Sequence, residues 1–256
     1  MEHFIKGRGL PAMLERAKQG DRMISRVMEP KFVLDFDGVL FNSAFEAYSV
    51  CNLAVRNDPA FRQNVNFEEF MDYRALTTDA WQYNRLYALD RYDGDFAALP
   101  KAVPADGDWA FAKSFFASRT VMMLDPDWPK VMAPYDFFFQ LKPLLLAYPD
   151  RFAILSTRNV ASIRRTLAFF DADVVEVFGQ EDIRRLGSKI QVANGQGWLS
   201  GSHMIVYVDD MSAHLEPFDG KVHLPLHANW GYDKALDGSL SQHQVLKIIS
   251  SMLKLG

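Results

Sequence analysis

Two aspartates stand two residues apart in the stretch FVLDFDGVLFNS, at Asp35 and Asp37, just beyond a short apolar run. In an extended backbone, residues two apart face the same way. One carboxylate could then attack phosphorus while the other protonates the leaving oxygen and later activates water. Aspartate nucleophiles that form aspartyl-phosphates are an established catalytic class, and acid–base assistance contributes about 10²–10⁴-fold. Gly38 follows at once and frees the backbone for a tight turn beside the phosphate.

Other polar groups appear where apolar runs stop. FAILSTRN ends on Ser156 and Thr157, whose hydroxyls and backbone N–H groups could hold phosphate oxygens at the start of a following helix. Either residue, or Asn159, could equally cap that helix. Arg158 reads as a phosphate ligand or as a surface residue, and the sequence does not choose. Lys189, in RRLGSKIQVANG, is a point charge able to neutralise both the nucleophile and the transferring phosphoryl group. MIVYVDDMSAHL closes on Asp209 and Asp210. Mg²⁺ prefers oxygen ligands and takes one or two carboxylates with phosphate and water. Asp35, Asp209 and the main-chain carbonyl of Asp37 would suffice, with Asp210 as a further ligand or an orienting partner.

These groups need a scaffold that gathers strand ends. Phe32–Phe36, Phe152–Leu155, Val174–Phe178 and Met204–Val208 read as buried strands, with a weaker one at Val222–Leu226. Helical patterns at Val160–Phe170 and Glu181–Ala193 lie between them. Near-continuous apolar strands alternating with helices predict a Rossmann-like α/β fold: a parallel sheet with helices on both faces. Ligands of such sheets bind outside the carboxyl ends of the strands, where Asp35, Ser156 and Asp209 fall.

Residues 44–135 break the alternation. They are rich in aromatics at helical spacing and predict a mostly helical cap inserted into a core of residues 31–43 and 136–256. Residues 1–30 read as an N-terminal extension with an amphipathic helix, Pro11 in its first turn and Met13, Leu14, Ala17, Met23 and Ile24 on its apolar stripe. Within the insertion, Arg74, Arg85, Arg91 and Arg119 could bind an anionic leaving group or stay solvated. Trp81, Tyr83 and Tyr87 read as packing residues of the insertion.

Composition narrows the class. Hydrophobic residues at 49% and charged residues at 23% fit a globular chain with a real core. A net charge of −4 leaves no footprint for nucleic acid or an anionic membrane. No apolar run approaches the roughly 18 residues that span a bilayer, and the N-terminus lacks the apolar core of a signal peptide. With Cys51 as the single cysteine, a reducing, cytoplasmic location is expected.

In their order along the chain these residues resemble the four motifs of the haloacid dehalogenase superfamily, from Lys31 to Val50 and from Tyr135 to Asp233; HANWGYD is similar to a WGY-like turn of many members. The resemblance implies Asp35 as nucleophile, Asp37 as general acid–base, Ser156 and Lys189 as phosphate ligands, and Asp209 as a magnesium ligand with Asp210 beside it. Asp37 points to phosphoryl transfer over dehalogenation. The expected function is a Mg²⁺-dependent phosphatase acting on a small-molecule phosphate ester. A phosphomutase, a non-catalytic binding protein on the same fold and a response-regulator-like phospho-acceptor are the alternatives. Oligomeric state is not specified by the sequence.

Overall fold

A computed structural model describes residues 29–90, 103–172, 174, 176–200, 203–233 and 237–254. The expected N-terminal helix and Arg91 lie outside the described residues.

Five short apolar strands form the sheet: β1 (Pro30–Leu34), β4 (Phe152–Leu155), β5 (Glu176–Phe178), β6 (Met204–Asp209) and β7 (Leu224–His227). Their order is β5-β4-β1-β6-β7 and every pairing is parallel. Successive side chains in a strand point to opposite faces, so one strand feeds two cores. Phe32 and Leu34, Phe152 and Ile154, and Val206 and Val208 face one side. There they pack on α4 (Asp136–Ala147), α5 (Val160–Phe169) and α8 (Gln242–Leu253). Val33, Ala153, Leu155, Ile205 and Tyr207 face the other side, against Val192, Trp198 and Phe218. Each such apolar side chain contributes about 1.5–3 kcal/mol when fully buried.

Two short helices, α6 (Gln180–Leu186) and α7 (Lys189–Gly195), stand where the sequence predicts one over Glu181–Ala193. Gly187 adopts φ +102°, a left-handed conformation that glycine tolerates and that stops α6. Ser188 then caps α7 by accepting a hydrogen bond from Gln191 N. Lys189 thereby becomes the first residue of a new helix rather than the middle of a long one.

Between β1 and β4 the chain forms a second apolar cluster. It is built by α1 (Ala44–Ala54), α2 (Phe67–Arg74), a helical turn at Asn84–Tyr87 and α3 (Asp106–Met122). Val50, Cys51, Phe70, Tyr73, Tyr83, Tyr87, Phe111 and Phe115 are buried in it, and Trp81 is also buried. A two-residue antiparallel ribbon, β2 (Phe41–Asn42) on β3 (Ala133–Pro134), joins the strands on either side of this segment. No helix among the described residues is long and apolar enough to cross a membrane.

Candidate active site

Register delivers the acids. Leu34 pairs with Val208 and with Ile154, so Asp35 and Asp209 are level at the carboxyl ends of adjacent strands, and Ser156 follows directly after β4. Asp35 is 3% exposed; Asp209, Asp210 and Ser156 are fully buried. Asp35 Oδ1 accepts from Phe36 N at 2.7 Å and Oδ2 from Lys189 Nζ at 2.7 Å. The same ammonium reaches Asp209 Oδ2 at 2.7 Å. Asp209 also accepts from Tyr207 Oη and Met211 N, and His214 Nδ1 lies 3.2 Å from its Oδ1. Burial opposes ionisation of Asp209, but Lys189 and His214 outweigh it and hold the carboxyl well below the usual range. Burial and the neighbouring Asp209 push Asp35 up to about 6, against the pull of Lys189.

Asp210 is placed differently. Its Oδ2 accepts from Tyr232 N at 2.7 Å, while its buried Oδ1 has no partner. Burial, then Asp209 and Asp35, drive its pKa well above the ordinary value. A β-carbon on either Gly38 or Gly231 would collide with the Asp210 side chain. Gly38, at φ +84°, serves this close approach as well as the turn. The WGY turn has the same physical reason: Gly231 makes room for Asp210, and Tyr232 bonds it.

A divalent cation fits this chemistry. Of three buried carboxylates, Asp35 and Asp209 pair with one ammonium, Lys189, and Asp210 has no ion pair among the described residues. Ligand atoms of Asp35, Asp209 and His214 lie within 4.8 Å of one another, which alone would suggest a cation among them. Lys189 Nζ, however, already bridges Asp35 and Asp209. Asp210 keeps an unmet oxygen, so it could serve as a ligand with Asp35 and the carbonyl of Asp37; an all-oxygen set suits Mg²⁺.

A second cluster holds Asp37. Arg158, which the sequence leaves between phosphate ligand and surface, is neither solvated nor free: it is 2% exposed. Its Nε lies 3.0 Å from both Asp37 oxygens, Nη1 donates to Ser162 Oγ at 3.1 Å and Nη2 to Glu46 Oε2 at 3.0 Å. Glu46, on α1, is gripped from its other side by Arg119 of α3, at 2.8 and 2.9 Å. Burial opposes ionisation of Asp37 and Glu46, yet the guanidiniums hold both carboxyls below their usual values.

The structure thus gathers Asp35, Ser156, Lys189, Asp209 and Asp210 at the strand ends, with Asp37 at their margin. Ser156 Oγ accepts from Arg158 N at 3.3 Å, while Thr157 is exposed and lines the neighbouring cleft. Glu46, Tyr207 and His214 escape the sequence reading. Only His214 carries a signal, one helical turn beyond Asp210.

No family model and no curated protein matches the sequence. Solved structures do. A predicted phosphoglycolate phosphatase from Haemophilus somnus aligns with a TM-score of 0.60 at 14% identity, over 86% of this chain and 98% of that one. A predicted phosphatase from Clostridium acetobutylicum gives 0.59 at 12%, over 88% and 99%. A haloacid dehalogenase-like hydrolase from Streptococcus pneumoniae gives 0.56 at 11%, over 86% and 98%. These likenesses show that the chain has the fold of haloacid dehalogenase-like hydrolases.

Proposed function

We propose that the protein is a Mg²⁺-dependent phosphoric monoester hydrolase that cleaves a small phosphorylated metabolite through an aspartyl-phosphate on Asp35. The observation that carries the reading is the charge balance at the strand ends: three buried carboxylates, one ammonium and an unpartnered Asp210 oxygen. With all three ionised, such a cluster calls for more positive charge. The named activities of the structural neighbours agree with it.

An Asp35 oxygen attacks phosphorus, the bond to the ester oxygen breaks, and Asp37 supplies the proton that oxygen needs. Water then attacks the aspartyl-phosphate while Asp37 takes up its proton, releasing inorganic phosphate and restoring Asp35. Lys189 fixes Asp35 and offsets charge on the phosphoryl oxygens. Ser156, and Thr157 at the cleft edge, contribute donors to those oxygens. Bound Mg²⁺ would add charge neutralisation there, held by Asp35, Asp210 and the Asp37 carbonyl. Arg158 favours the carboxylate of Asp37, the form that accepts a proton from water. Donation in the first half then requires the Arg158 contact to loosen.

In this reading residues 31–43 and 136–256 form the catalytic core, 44–135 a cap that excludes water, and 1–30 an extension. The test is phosphate release from a panel of phosphorylated metabolites, with and without Mg²⁺, for wild type and Asp35→Asn. Release that needs Mg²⁺ and vanishes in the variant is expected. Normal turnover by Asp35→Asn would remove the mechanism.

A further inference from the structure

We propose that Arg74 receives a second oxyanion, a carboxylate or phosphate on the leaving group, so that the preferred substrates are small esters carrying negative charge at both ends. The inference rests on the phosphatase reading above and adds the chemical class of the substrate.

The cleft beside Asp37 has about 180 Å³ of free volume, below the roughly 300–1,000 Å³ typical of drug-sized ligand pockets. Asp37, Thr157, Arg158, Arg74, Thr78 and Trp109 are among the residues that line it. Asp35, Lys189 and Asp210 are not part of its wall. The cleft therefore touches the group that protonates the leaving oxygen but not the nucleophile, which suits a leaving group.

Its cations are not equivalent. Arg158 and Arg119 are committed to Asp37 and Glu46, and Arg184, the fourth arginine of the wall, lies over the Phe116 ring at 5.2 Å. Elsewhere in the same helical segment, Arg62 pairs with Glu69 and Arg85 with Asp108. Arg74 makes no salt bridge among the described residues, although Asp210 and Asp37 act on it through space. Its Nη1 donates to Thr77 O at 2.9 Å, which leaves most of its five N–H donors unused. None of its nitrogens is sealed from solvent without a partner, and the residue lines the cleft.

The guanidinium is also held in place. It lies 3.9 Å above the ring of Tyr232, a cation–π contact. That tyrosine is itself fixed: its N–H bonds Asp210, and its hydroxyl accepts from Ser43 N at 2.7 Å. A planar fork held in this way at the end of α2 needs little reordering to meet an oxyanion. The phosphoryl group to be transferred already has Lys189. A second negative group on the leaving side is what the uncommitted fork of Arg74 fits.

The experiment is titration calorimetry on full-length Asp35→Asn with Mg²⁺, which removes turnover and leaves binding. Three probes of matched length serve: n-propyl phosphate, 2-carboxyethyl phosphate and propane-1,3-diol bisphosphate. The carboxylated or the bisphosphate probe should bind roughly tenfold tighter or more than the propyl ester. Adding Arg74→Gln should erase that preference while propyl phosphate affinity changes less than about threefold. Which probe gains tells a carboxylate receptor from a phosphate receptor. Equal affinities for all three probes overturn the proposal without needing the second variant. A preference that survives Arg74→Gln, or a variant that weakens all three alike, also overturns it. Binding of none would bring down the phosphatase reading and this inference together, an outcome distinct from equal binding.

Discussion

Two charged clusters meet near Asp37, and they balance differently. At the strand ends, Asp35 and Asp209 share one ammonium, Lys189, and the buried Asp210 has no ion pair among the described residues. In the seam between sheet and helical insertion, Asp37 and Glu46 share two guanidiniums, Arg119 and Arg158. The seam is neutral within itself, and each of its carboxylates is hydrogen-bonded. The strand-end cluster is short of positive charge, and Asp210 keeps an unmet oxygen. Buried ions that are fully paired hold a structure together, whereas buried ions left unbalanced cost stability and are retained for chemistry. The contrast separates what the fold needs from what the reaction needs, and each half can be tested.

The largest effect falls on the unbalanced side. Asp35→Asn should lower kcat by roughly 10⁴-fold or more, as for other covalent nucleophiles. Its unfolding midpoint in EDTA should be unchanged or higher than wild type, because one of three crowded carboxylates is neutralised. A variant both inactive and clearly less stable would mean that Asp35 is structural. The balanced side should respond in the opposite way. Glu46→Gln leaves Arg119 and Arg158 without a full counter-charge, and breaking a buried pair costs about 3–5 kcal/mol. Urea unfolding at neutral pH measures this, and a loss under about 1 kcal/mol would make the seam no more than an exposed-type pair.

The cation comes next in size. Mg²⁺ should stabilise wild type by about 2.7 kcal/mol at a hundredfold excess over its Kd. Asp210→Asn should lose that gain. Retention of it in Asp210→Asn, with loss in Asp209→Asn, would move the cation to the Asp35–Asp209–His214 group instead.

The two clusters are also unequally visible in the sequence. Strand ends are local: an apolar run that stops on a carboxylate announces a buried strand and the group it delivers, so Asp35, Ser156, Asp209 and the parallel sheet are legible. Lys189 is legible by its place before β6, although Gly187 and Ser188, a stop and a cap, break the helix expected there. The division of labour between Asp209 and Asp210 is not, because only the packing of Asp210 against Gly38 and Gly231 separates them. Glu46 is invisible for a different reason. On α1, Phe45 is 52% exposed while Glu46 is fully buried, the reverse of what residue type suggests. Its partners lie 73 and 112 residues away, placed by packing of the insertion on the sheet. Arg119 and Arg158 share that blindness, since an arginine's spacing does not reveal which distant acid it meets.

The smallest effect is the shape of the stability curve against pH in EDTA, where the clusters should pull in opposite directions. Glu46 has a folded pKa below its ordinary 4.5. A depressed acid contributes stability that is present above the unfolded pKa and fades as pH falls through the folded one. The gap between wild type and Glu46→Gln should therefore be constant near neutrality and begin to close below about pH 4.5. Asp35 runs the other way, raised from 3.8 to about 6. Its folded form binds a proton before its unfolded form does, so the metal-free protein should gain stability as pH falls from about 7 toward about 4. Asp35→Asn should lose its share of that gain, leaving the part due to Asp210, whose folded pKa is also raised, and Glu46→Gln should keep the whole. If both variants lost it, the two clusters would be one coupled network, and the charge deficit at the strand ends could not be treated apart from the seam that holds Asp37.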